Sequence, residues 1–121
     1  MSSVAYSKEY LVDLSHTLDK EFKFTFTIGA SDNKGEWSTE KELLRDWQGQ
    51  TVFCNLSYFQ ECNKWVTKCY EESKKLNTLV VMLMPVMENN PYFRDIVYNK
   101  ARQIRFIRSE YNKFEAVVVV F

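Results

Sequence analysis

Apolar residues along the chain alternate between helical and extended rhythms. In SKEYLVDLSHTLDK, residues 7–20, Tyr10, Leu11, Leu14 and Leu18 recur at helical spacing, and Ser7 is placed to cap the start. EFKFTFTIG then alternates, with Phe22, Phe24, Phe26 and Ile28 on one side and Lys23, Thr25 and Thr27 on the other, which predicts a half-buried strand over 22–28. After the loop ASDNKGEW, Ser38 or Thr39 caps a short helix, TEKELLRDW; Glu42 completes a capping box and Gly49 ends the helix. TVFCNLSY reads as a second strand. Residues 60–76 read as a helix with Lys and Glu outward, stopped at Asn77. TLVVMLMPV has no polar face, so it predicts a strand buried on both sides, with Pro85 at its end where no ladder donor is needed. Residues 91–101 predict a helix with Pro91 in its first turn, and RQIRFIR and FEAVVVVF are the last strands, joined by SEYNK.

The resulting order, α-β-α-β-α-β-α-β-β, predicts an α/β sheet with right-handed crossovers and a terminal pair suited to an antiparallel hairpin. The 121 residues fit a single domain, 1–121, with no internal repeat. An apolar content of 45% and an aromatic content of 16% argue for a packed core rather than disorder.

Net charge is zero, which disfavours avid, non-specific attraction to phosphate. Charge is unevenly spread, however. Residues 94–113 include Arg102, Arg105, Arg108 and Lys113, a set that reads either as a surface for DNA or another partner or as a solvated strand and helix face. Cys54, Cys62 and Cys69 match no zinc or disulfide spacing, and His16 is the single histidine, so no metal is expected. Cys62 and Cys69, seven apart, share a helical face with Trp65, Val66 and Leu76 and read as core thiols. No apolar run approaches the ~20 residues of a membrane span, and the N-terminus lacks a signal-peptide core, so a cytoplasmic location is expected.

FCNLSYF, residues 53–59, is the chemically suggestive stretch. The amino group of adenine is a poor nucleophile because its lone pair is delocalised into the ring. A site can help by accepting both amino hydrogens, from an Asn side chain and a neighbouring carbonyl, while an aromatic ring stacks on the flipped base. Asn55 and Tyr58 have the identity and spacing for two of these tasks; a strand ending in an Asn turn is the plainer reading.

The chain resembles the phage-type DNA N6-adenine methyltransferases. The likeness runs through LDKEFKFTFTIGASDNK, RDWQGQTVFCNLSYFQECNKWVTKCYEESKK, TLVVMLMPVMENNPYFRDIVYNKARQIRFIR and FEAVVVVF, in linear order. It implies a three-layer, Rossmann-like S-adenosylmethionine methyltransferase fold. Here the sheet is reduced to five strands in the order first-second-third-fifth-fourth, with the first strand at an edge. It also implies S-adenosylmethionine as cofactor if the protein is active, with Gly29 and Asp32 in the cofactor cleft, and a bacterial host cell as the setting of a phage-encoded protein.

The departures fall on the chemistry. The family motif would be N-P-P-Y, and here it is Asn55-Leu56-Ser57-Tyr58, so the rigid carbonyl that two prolines impose is missing. The first strand ends in Thr27-Ile28-Gly29-Ala30, without the family's aspartate, and only Ser109 to Lys113 joins the last two strands. This pattern predicts a scaffold that has lost its reaction and acts by binding a protein, for example by inhibiting a host DNA-targeting nuclease system. The alternative is a live adenine-N6 methyltransferase using Asn55 and Tyr58. The edge strand 22–28 is the expected surface for a homodimer or another protein, the plainer alternative being an edge covered by the N-terminal helix or the 29–38 loop. Tyr58, Phe59, Trp37, Trp47, Tyr92 and Phe93 are expected near the C-terminal ends of the strands, where such sheets bind ligands.

Overall fold

A computed structural model describes residues 2–5, 8–28, 43–55, 62–85, 91, 93–108 and 114–121. Its elements are β1 (Ser2–Ala5), α1 (Lys8–Phe22), β2 (Phe26–Ile28), β3 (Thr51–Asn55), α2 (Cys62–Ser73), β4 (Leu79–Pro85), a π-helix (Phe93–Tyr98), β5 (Gln103–Arg108) and β6 (Phe114–Val120). They build a mixed sheet of six strands in the order β1-β5-β6-β4-β3-β2. Strands β2 to β6 follow the expected order. The sixth strand, β1, corrects the expected five: it pairs parallel with β5, Val4 facing Ile107 in register. β6 lies antiparallel between β4 and β5, so the terminal hairpin forms, with a bulge at Ile107/Arg108.

β4 shows why an unbroken apolar run makes an interior strand. Val80, Met82 and Met84 pack into one cluster with Trp47, Trp65, Val66 and Cys69, while Val81 and Leu83 pack into another with Leu14, Leu18 and Phe53. α2 therefore seals one face of the sheet and α1 the other. At roughly 1.5–3 kcal/mol per fully buried aliphatic side chain, the run Val80–Met84, none more than 8% exposed, anchors both clusters. Pro85 is the last residue of β4, as its missing N–H requires.

The strand expected over 22–28 is only Phe26–Ile28, because α1 runs on through Phe22. Lys23 ends the helix in the left-handed region, at φ 58°, with its N–H on the Asp19 carbonyl at 2.7 Å. The Asp19 carboxylate then accepts the N–H of Phe24 at 3.1 Å. A bend at Thr25 separates this cap from β2, so the four apolar residues do not share a side. Phe22 and Phe24 join the α1 cluster, where Phe24 stacks on Phe53 at 5.0 Å; Phe26 and Ile28 join the opposite cluster with Trp47.

Three other expectations change. Residues 91–101 hold a π-helix at Phe93–Tyr98 rather than a plain α-helix. α2 stops at Ser73, so Leu76 leaves the helical face and is 72% exposed, while Trp65, Val66 and Cys69 are buried as expected. Asn77, at φ 56°, does make the turn out of that segment. Of the helix expected over 39–47, the described part is helical at 43 and 44 and ends before Gly49; the capping residues Ser38, Thr39 and Glu42 lie outside the described residues. Gly49, at φ 82°, is instead the third residue of a turn closed by the Gln50 N–H on the Trp47 carbonyl at 3.0 Å, the type II geometry. Cys54 and Cys69 are buried thiols in the core. Among the described residues no helix is long and apolar enough to cross a membrane.

Candidate active site

β2, β3, β4, β5 and β1 run parallel and β6 runs against them, so the C-terminal ends of five strands share one edge of the sheet. In α/β sheets this is the edge where ligands bind. Asn55 stands on it. It is the last residue of β3 and is half-buried, in register with Leu83 of β4 and one step beyond the pair Ile28 and Cys54. The residue has an interaction partner and does not stand free. Ile28 ends β2 on the same edge, in register with Cys54 of β3. Leu56, Ser57, Tyr58, Gly29 and Asp32 themselves lie outside the described residues, as do Trp37, Phe59 and Tyr92.

The described basic candidates are spread along β5. Arg102 precedes β5 and Arg108 ends it, so about six strand residues, roughly 20 Å, separate them along the sheet. Arg108 is on the Asn55 edge, and Lys113 lies outside the described residues. Arg105, between them, is committed to α1. Its guanidinium forks onto the Glu21 carboxylate, Nη1 to Oε1 at 2.7 Å and Nη2 to Oε2, and sits 5.4 Å from the centre of the Phe22 ring. The bonds from Arg105 hold the Glu21 carboxyl below its ordinary range, against a smaller opposing effect of burial.

Trp47 is the clearest departure among the aromatic candidates. It precedes β3, at the edge opposite Asn55, and is fully buried. Its ring packs against Phe26 at 6.5 Å, with the Lys68 ammonium 5.1 Å away, and its backbone N–H donates to Glu72 Oε1 at 2.6 Å. It is therefore a core residue and not part of a ligand cleft. The sequence reading named Arg102 but missed its gathering with Lys74, Lys75 and Lys100 at that opposite edge. The adjacent lysines at the end of α2 were the available signal.

The described residues do not by themselves make a holder for S-adenosylmethionine. β2 ends in Ile28, 1% exposed and packed in the core, so no carboxylate stands at its tip, and Asn55 is the polar side chain that ends β3. Among the described residues no group of His, Cys, Asp and Glu could hold a metal ion.

No curated protein and no solved structure matches the chain. The family profile described as DNA N-6-adenine-methyltransferase (Dam) matches residues 12–118, a span that runs from within α1 into β6 and includes Asn55 on its strand end. With that span covering most of the 121 residues, the chain belongs to the Dam family of DNA N6-adenine methyltransferases.

Proposed function

We propose that this protein is a phage- or prophage-derived member of the Dam family that has kept a reduced Rossmann-like scaffold and lost methyl transfer, acting instead by binding a protein. The observation behind this reading is the motif itself. Asn55 ends its strand on the ligand edge, but Leu56-Ser57 follows where two prolines would hold the second acceptor of the adenine amino group. An amine whose lone pair is tied up in the ring gains little from one acceptor in a pliable turn. The loss of a carboxylate after β2 supports the same reading. The candidate contact surface is the edge at β2, which has β3 on one side and, among the described residues, no strand on the other. A counter-defence role against a host DNA-targeting nuclease would suit a binding protein of this origin.

Calorimetric titration with S-adenosylmethionine, paired with a methylation assay on adenine-containing duplex DNA, tests the proposal. The expected result is a folded protein with no micromolar binding and no transfer. Micromolar binding together with transfer to the adenine amino group, lost in Asn55→Ala, would overturn it in favour of a live enzyme. Asn55's position at the strand tip is the specific observation on that side. Leu56→Pro with Ser57→Pro adds a second arm, since recovered transfer would show that the motif alone had lapsed.

A further inference from the structure

The edge of the sheet opposite Asn55 contains a cleft of about 710 Å³ between the end of α2, the start of β4, the approach to β5 and the end of β6. Such a volume falls within the range of small-ligand sites, roughly 300–1,000 Å³. Four cations line it, Lys74, Lys75, Lys100 and Arg102, and no carboxylate side chain is among the lining residues. The chain as a whole has zero net charge, so this gathering of cations is local.

Two of the four already have anionic neighbours. Lys74 pairs with Glu71 at 3.1 Å and stands over the Tyr70 ring; Lys75 pairs with Glu72 at 2.7 Å and Asp46 at 2.9 Å. The other two do not. Lys100 and Arg102 are exposed, and neither side chain has an ion pair among the described residues. The Arg102 backbone is fixed, its N–H on the Val120 carbonyl at 2.7 Å, so the side chain that lines the cleft starts from an anchored point. An ammonium brings three donors and a guanidinium a planar fork that matches two oxygens of one phosphate.

We propose that this cleft binds phosphate groups, with Lys100 and Arg102 as the principal contacts and Lys74 and Lys75 as flanking donors. The ligand is either a small free polyphosphate or the phosphodiester backbone of a nucleic acid strand; both present the same chemistry to these four side chains. The site is separate from the Asn55 edge. Asn55 pairs with Leu83 and Thr51 with Leu79, so the length of β3, roughly 13 Å, lies between the two ends.

Amide NMR titration of the full chain at about 0.15 M salt, where weak surface attraction is screened, is the test. Inorganic pyrophosphate is expected to give saturable shifts confined to residues 74–79 and 100–103. Lys100→Gln with Arg102→Gln, both at exposed positions, should weaken binding at least tenfold while the melting temperature stays close to that of the parent. Asn55→Ala should bind as the parent does. An oligothymidylate that displaces pyrophosphate identifies a strand as the ligand, and failure to displace identifies a small polyphosphate. Absence of saturation, shifts spread over the other basic residues, or binding unchanged in the double variant would overturn the proposal.

Discussion

The Glu72 carboxylate, on the last turn of α2 and 4% exposed, accepts the backbone N–H of Trp47 at 2.6 Å. This bond ties the segment before β3 to the helix after it. Lys75 and Lys68 neutralise the same carboxylate at 2.7 and 3.3 Å. Burial alone would raise its pKa, but the bonds from Lys75, Trp47 and Lys68 outweigh that effect and hold it below the ordinary 4.5. Glu72→Ala strands a buried N–H and takes one anionic partner from each of Lys68 and Lys75, at a cost of about 2–4 kcal/mol. Glu72→Gln keeps an acceptor for Trp47 and should cost about half as much. Because the folded pKa is depressed, this stabilisation is complete above the unfolded value and fades as pH falls through the folded one. Urea melts at pH 7 and pH 3 should therefore show a large gap between parent and Glu72→Gln at the first pH and a smaller gap at the second.

Two left-handed residues outside Asn77 should respond in opposite directions. Gly49, at φ 82°, has open space where a Cβ would stand, so the demand for glycine is conformational and not steric. Gly49→Ala should cost about 1 kcal/mol. Lys23, at φ 58°, bears a side chain where glycine is preferred, so Lys23→Gly should stabilise the α1 cap by about 0.5 kcal/mol after the greater freedom of the unfolded glycine is deducted. Thermal melts of the two variants read both signs.

These caps also explain what the sequence did and did not disclose. The apolar run of β4 and the alternation of helix and strand were legible because burial on two faces leaves a periodic trace. Phe22 and Phe24 misled because a helix end and a bend can place residues two apart on the same side, as a strand does, and then hand Phe26 to the other cluster. β1, with the sequence SSVA, has no bulky alternation; it forms where the outer edge of β5, about a hundred residues later, offers unpaired groups. The place of Asn55 could be read from the end of an extended run. The burial of Trp47 could not, since it depends on Glu72, separated by 25 positions.

Arg105 and Glu21 pin the end of α1 to β5 across 84 positions of sequence, with the guanidinium also on the Phe22 ring. Both groups are partly exposed, 27% and 43%, so screening keeps the pair's worth below about 1 kcal/mol. Arg105→Gln should cost no more than that. It should also return the Glu21 carboxyl toward its ordinary value, a rise visible in a carboxyl-carbon NMR titration. Since the pairing lowers the folded pKa, its contribution is present above the unfolded value and disappears on acidification, so parent and variant should converge in stability near pH 3.

β1 pairs with β5 through four residues, Ser2 to Ala5 against Arg105 to Arg108, and lies at the end of the sheet. The pairing satisfies backbone donors and acceptors on β5 that would otherwise face water, and it shields a strand whose Ile107 is 1% exposed. An uncovered parallel edge offers a template to another chain. A variant lacking residues 2–5 should remain folded, because α1, α2 and strands β2 to β6 supply buried members of the two core clusters. It should lose about 1–2 kcal/mol, a few backbone hydrogen bonds at their small net value, and it should self-associate. Sedimentation velocity at increasing concentration measures that association, and hydrogen exchange locates it. Protection should drop selectively at residues 103–108 in the dilute variant and return as the oligomer forms. Unchanged exchange at those amides would mean that β1 does not guard this edge in solution.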